Sequence, residues 1–209
     1  TEWTISNQTA AGSFHIPTGS LILGGIQSQT QGIIWTDIDV WVMQYVGGTV
    51  IFNFNRVGSG CGIVGPHAMG ILSGNVYWMG TDNFFVMSGS GVAPLPCTVW
   101  DFVFQNMDTA NIEKVRCAPN SAFSEIAWFF PSITSAGEND SYVKYNIVEG
   151  EWDYGLISRT AWTDVSILGS PIGADSLGTI LQHETGNITS GTGAPTFQTG
   201  WWSIADGGD

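Results

Sequence analysis

The chain has 209 residues, 43% hydrophobic and only 11% charged, with 10 Trp, 11 Phe and 28 Gly. That much apolar surface offsets chain entropy and argues against disorder, and the length suits one all-β domain. Net charge is −13, from 18 acidic and 5 basic residues, which argues against gripping nucleic acid by phosphate neutralisation, because that needs clusters of Lys and Arg. An acidic wall can still serve DNA by repelling its backbone, so that a duplex slides without sticking. The plainer reading is that the charge keeps the protein soluble.

Residues 1–30 are rich in Ser, Thr, Gln and Gly. Brief apolar runs at Phe14-His15-Ile16 and Leu21-Ile22-Leu23 predict short strands, joined by a turn at Pro17-Thr18-Gly19. The chain opens on Thr1-Glu2-Trp3 without an initiator Met, as a processed chain or a piece of a longer polypeptide does.

A hairpin follows at 33–45. Its turn is Asp37-Ile38-Asp39 and its second strand runs from Val40 to Tyr45. The apolar positions are consecutive, not alternating, which predicts that both faces are covered, as in a blade stacked between neighbours. Val50 to Asn55 alternates and predicts a half-buried strand.

The glycine-rich stretch from Gly58 to His67 is not a phosphate cradle: no Lys-Ser or Lys-Thr follows, and no helix pattern opens. It predicts a loop that needs backbone freedom. A second hairpin spans 70–87, with a turn at Ser73-Gly74-Asn75, and a short strand follows from Val92 to Leu95. The two hairpins are one pattern written twice. A shift of 43 residues lays Ile33 on Val76, Trp35 on Trp78, Asp39 on Asp82 and Trp41 on Phe84. A period of that size is about one propeller blade or similar β repeat.

Residues 97–118 break the β pattern. Thr98-Val99-Trp100-Asp101 has capping-box form, and Asp108 suits the N-cap of a second helix, with Lys114 and Arg116 near its C-terminal end. Two short helices are expected to leave the sheet and return, as loop filling or as an inter-subunit contact.

The β pattern resumes at Glu125 to Phe130 and at Ser141 to Asn146. This is a third copy, with Trp128 in its first strand and an Asp-bearing turn. Glu149-Gly150-Glu151 turns the chain before Trp152. Arg159 to Asp164 repeats the Trp-Thr-Asp of 35–37, and 179–184 and 195–204 predict the last strands. The fold class expected is therefore all-β: propeller-like repeated antiparallel blades of about 43 residues, forming one domain over 1–209 with a helical insertion near 97–118.

Reactive residues form no recognisable motif. His15, His67 and His183 are scattered, with no cluster at metal-ligand spacing. His183-Glu184 lacks the second histidine of a zinc helix. Asp37 and Asp39 resemble the start of a calcium loop, but Val40-Trp41 cannot continue it, so a turn role is expected. Cys61, flanked by glycines, has no charged neighbours that would lower its pKa, and reads as a small packed residue. The odd count of Cys61, Cys97 and Cys117 rules out a fully paired disulfide scaffold and suits a reducing cytoplasm. Sequons at Asn7, Asn139 and Asn187 would matter only in a eukaryotic secretory route. No run is apolar enough to span a bilayer. Most tryptophans sit at repeated apolar positions and read as core, whereas Trp201-Trp202 suits an interface. No catalytic residue, cofactor or metal is expected.

An ordered set of strings carries a family resemblance. They are Trp35-Thr36-Asp37 with Met43-Gln44-Tyr45-Val46-Gly47, Gly60-Cys61-Gly62 with Gly65-Pro66, and Gly74-Asn75-Val76-Tyr77-Trp78-Met79-Gly80 with Asp82-Asn83-Phe84. Leu95-Pro96-Cys97, Asn139-Asp140-Ser141-Tyr142-Val143, Arg159-Thr160-Ala161-Trp162 and Gln182-His183-Glu184-Thr185-Gly186 continue it. Across roughly 30–188 the chain resembles the packaged-DNA stabilisation, or tail hub and nozzle, proteins of short-tailed bacteriophages. The resemblance implies a non-enzymatic virion protein with a β-propeller body, made in the bacterial host cytoplasm. It implies identical subunits in a ring, usually hexameric, below the portal and adaptor. Such a ring extends the DNA channel, retains packaged DNA, conducts it during ejection, and docks tail fibres or a needle. Members are generally longer than this chain, and they offer no catalytic motif to carry over. The alternatives are a propeller that binds host glycans through exposed aromatics, and a virion-associated glycan hydrolase.

Overall fold

Each apolar run pairs with the next run along the chain, so the sheets are meanders. A computed structural model describes residues 12–47, 51–165 and 169–186. The first sheet contains β1 (Ile22–Gln27), β2 (Gly32–Thr36), β3 (Asp39–Tyr45) and β4 (Phe52–Ser59). The second contains β5 (Met69–Leu72), β6 (Asn75–Met79), β7 (Phe84–Ser88) and β8 (Gly91–Leu95). The third contains β9 (Arg116–Asn120), β10 (Glu125–Pro131), β11 (Asn139–Asn146) and β12 (Trp152–Leu156). The fourth has three strands, β13 (Ala161–Thr163), β14 (Ile172–Ala174) and β15 (Ile180–Gln182). Every sheet is antiparallel, and within each the strand order follows the chain.

The tryptophan repeat is the frame of the core. Trp35, Trp78 and Trp128 each lie in the second strand of their sheet, and each is fully buried. The Trp78 indole donates to the Cys61 carbonyl at 2.9 Å, and the Trp128 indole to the Ala68 carbonyl at 2.9 Å. These bonds satisfy polar N–H groups that burial would otherwise leave costly. The rings of Trp35 and Trp78 meet edge-on at 5.4 Å, and Phe84 lies 4.6 Å from Trp128. First strands face each other from sheet to sheet: β5 packs on β9, and β9 on β13. The covered faces explain the consecutive apolar runs of the sequence.

The glycine-rich loop is a seam. Cys61 N–H donates to the Ile38 carbonyl at 3.0 Å, and Val64 N–H to the Met79 carbonyl at 3.1 Å, so the loop stitches the first sheet to the second. A Cβ on Gly62 would lie 2.1 Å from the Asp37 carbonyl oxygen. Glycine is there because two backbones touch.

Several expectations change. The helical stretch shrinks to α1 (Trp100–Phe104) and a 3-10 turn (Thr109–Lys114). Val99 is the N-cap of α1 and makes no side-chain cap bond, so the Thr98 capping box does not form. Asp108 does cap, accepting from the Ala110 N–H at 3.0 Å. Arg116 to Asn120 is strand, pairing along β10 from Phe129 opposite Arg116 to Glu125 opposite Asn120. Burying Cys117 and Ala118 on that edge overrides the helical spacing. The insertion packs inward, with Phe104 on Phe84 at 5.4 Å and Phe102 on Tyr154 at 4.1 Å. β4 is largely exposed, not half-buried. Phe14 to Ile16 is not a strand, while β14 is a strand that the sequence pattern did not announce. Trp162 lies in the first strand of its sheet, so the Trp-Thr-Asp echo at 162–164 does not mark the same place as Trp35. Trp201, Trp202, the strands expected at 195–204 and the sequons at Asn7 and Asn187 lie outside the described residues. Among the described residues, no helix is long and apolar enough to cross a membrane.

Candidate functional site

The site begins with the alternation of β10. Ile126, Trp128 and Phe130 point one way and are fully buried. Glu125, Ala127 and Phe129 therefore point the other way. Residues directly opposite on neighbouring strands share a face. Asn120 lies opposite Glu125, Ala118 and Lys144 flank Ala127, and Tyr142 lies opposite Phe129. The fourth sheet covers this face only in part, through Trp162, His183 and Glu184. A cleft of about 200 Å³ remains between the third and fourth sheets. Its gap is set by the two small side chains, Ala118 and Ala127, which pair across the sheet.

The walls are aromatic. Phe129 lies 6.5 Å from Tyr142 and 5.7 Å from Trp162, and Trp162 lies 4.6 Å from the His183 ring. The Trp162 indole donates to the Pro119 carbonyl at 2.8 Å, which fixes the plane of the ring.

Polar groups ring these walls. Lys144 Nζ meets Glu125 Oε1 at 3.0 Å and Asp153 Oδ2 at 3.7 Å. Asn120 Nδ2 donates to Glu184 Oε1 at 3.3 Å, whereas Asn120 Oδ1 is buried without a partner. Tyr142 donates to Asp153 Oδ2 at 3.3 Å. Burial, then the Asp153 charge, pushes the Tyr142 phenol up to about 12, so it stays a neutral donor. Arg159 Nε–H donates to His183 Nε2 at 2.7 Å. That nitrogen must offer its lone pair, so His183 is neutral with its proton on Nδ1. Burial, then the Arg159 charge, lowers its pKa in agreement.

The residues singled out in the sequence lie elsewhere, His183 and Glu184 apart. His15 precedes β1, and His67 precedes β5 beside Lys114 and Arg116. Among the described residues, no group of three or more His, Cys, Asp or Glu could hold a metal ion. Asp37 ties down the segment before β1, accepting from Ser20 N–H at 2.8 Å and from its hydroxyl at 2.6 Å. Those bonds lower its pKa. Asp39 begins β3 and is buried, with Arg56 Nη1 3.5 Å from its Oδ2. Burial, then the Asp39 charge, pushes the Cys61 thiol up to about 11, and burial does the same to Cys97. Burial also raises Cys117. All three are free, protonated packing residues. Asn139 is buried and donates to the Lys114 and Arg159 carbonyls at 2.9 Å each, so its sequon is closed to a glycan in the folded chain.

The electrostatics are one-sided. All five basic side chains are used inside the fold. Arg56 meets Asp39, Lys114 meets Glu138 at 2.6 Å, and Lys144 meets Glu125. Arg116 donates to the Thr160 carbonyl at 3.1 Å, and Arg159 to His183. Carboxylates such as Asp82, Asp101, Glu149 and Glu151 meet no cation within ion-pair distance among the described residues.

Sequence reasoning missed the cleft because its residues come from five separate segments. One signal was present: Glu125 and Ala127, polar or small, alternate with the large apolar Ile126 and Trp128, which marks two unlike faces at the start of the strand. No protein-family model matches the chain, and a comparison with curated proteins finds no match.

Proposed function

We propose that the chain is a non-enzymatic structural subunit of a bacteriophage virion, part of a tail hub or nozzle. In this reading the meander sheets are propeller blades, and copies of the body assemble into a ring, hexameric in the family that the chain resembles, below a portal and adaptor. The ring lines a channel that retains packaged DNA and conducts it on ejection, and its outer surface docks fibres or a needle. The observation that carries the reading is the fate of the cations. All five are spent within the fold, while many carboxylates face solvent unpaired. Such a surface repels a phosphate backbone and gives it nothing to hold. A conduit needs that property, and a nucleic-acid-binding protein needs its opposite.

Electron microscopy of purified protein and of virions tests the proposal. Rings of the purified chain, and density for the same body around the tail channel, are expected. A chain that stays monomeric at high concentration and is absent from virions overturns it.

A further inference from the structure

We propose that the cleft between the third and fourth sheets binds a saccharide, taking one uncharged pyranose ring. Three features select that chemistry. First, Trp162 and Tyr142 offer rigid ring faces over the buried Phe129, and aromatic faces bind the C–H side of a sugar ring while hydroxyls point to the rim. Second, the rim mixes donors with acceptors. Lys144 Nζ donates, Glu184 accepts, and Asn120 Oδ1 is a buried acceptor that lacks a donor. A sugar hydroxyl both donates and accepts, so one ring can serve all three. Third, the charges oppose one another. Glu125 and Glu184 disfavour an anion, and Lys144 with the neighbouring Arg159 disfavours a cation. A neutral polyol remains. The Lys144–Glu125 and Asn120–Glu184 contacts hold these groups in place in the free protein, which lowers the ordering cost of binding. A half-open cleft with aromatic walls and placed polar groups has the make-up of a ligand site.

The test uses saturation-transfer NMR on the full chain with D-glucose, D-galactose, D-mannose and N-acetyl-D-glucosamine. At least one of these sugars is expected to receive transfer from the wild-type protein. Ala127→Leu puts a branched side chain into the gap and is expected to abolish the transfer while keeping the wild-type circular dichroism and melting temperature. If that variant is misfolded, Lys144→Gln replaces it, because it removes the ammonium at similar size, and weaker transfer is expected. Tyr45→Ala, an exposed aromatic on the first sheet, is expected to bind as wild type does. The proposal is overturned if none of these sugars receives transfer, if transfer survives unchanged in the cleft variants, or if the cleft protons show contacts only to residues 187–209 of the chain itself. Its failure leaves the ring reading standing, since that one is decided by assembly and not by ligand contact.

Discussion

The two faces of β10 divide the molecule's work. On one face Ile126, Trp128 and Phe130 are fully buried, and the Trp128 indole N–H finds the Ala68 carbonyl. On the other, Phe129 packs on Trp162 of the fourth sheet, while Glu125 and Ala127 are covered only in part. The strand is the same and the backbone bonds are the same. Only the neighbour differs. Removing area from water stabilises the first face, while the second keeps polar groups near solvent, where they contribute little to stability and remain free to meet a ligand.

The contrast can be broken from either side. The largest effect is expected on the sealed face. Trp128→Ala should cost about 3–5 kcal/mol by urea denaturation, the range for a buried aromatic truncated to Ala. A loss below 1 kcal/mol would mean that the seam is loose and the contrast unfounded. Gly62→Ala comes next, because its Cβ would collide with the Asp37 carbonyl. About 1–3 kcal/mol of destabilisation is expected, the usual cost of forcing atoms into a packed seam, read as a fall in the urea midpoint at unchanged slope. On the open face, Lys144→Ala should change stability by no more than about 1 kcal/mol, since its partners are partly solvated. A larger loss would place the ion pair in the structural core.

The smallest effect sharpens the contrast through pH. The folded pKa of His183 lies below its unfolded value of 6.5. The unfolded chain therefore takes up the proton first, so this stabilising contribution is present above pH 6.5 and fades as pH falls through the folded value. Wild type should lose melting temperature on acidification across that window. His183→Asn should lose less, and His67, also lowered by burial and by Arg116, should account for part of what remains. An identical pH profile in the variant would show that His183 is not held as a neutral partner of Arg159.

The same contrast governs what the sequence could tell. The sealed seams were legible, because burial on both faces writes consecutive apolar residues around Trp35 and Trp78. The third sheet's first strand was not. Arg116 to Asn120 follows Ile112 and Val115 at helical spacing and contains Pro119, which an edge strand tolerates and a sequence rule counts against. β14 was hidden for a different reason: Ile172-Gly173-Ala174 is too short to show a period. The cleft was the least legible part. Asn120, Glu125, Lys144 and Glu184 carry no mutual spacing, and only the pairing of β9, β10 and β11 brings the first three onto one face. Partial cover by a short fourth sheet is a tertiary fact with no local signature.

The strand order has a kinetic consequence. Among the described residues, every strand in the four sheets bonds only to its neighbours in the chain, so none of these pairings waits for a distant segment. Short loops close quickly and at low entropic cost. Each sheet can thus form as its strands leave the ribosome, one after another, with the next sheet arriving to cover the apolar face just made. The slow step is then the docking of whole sheets at seams such as Gly62, and substitutions there should delay folding more than equally destabilising changes within a hairpin.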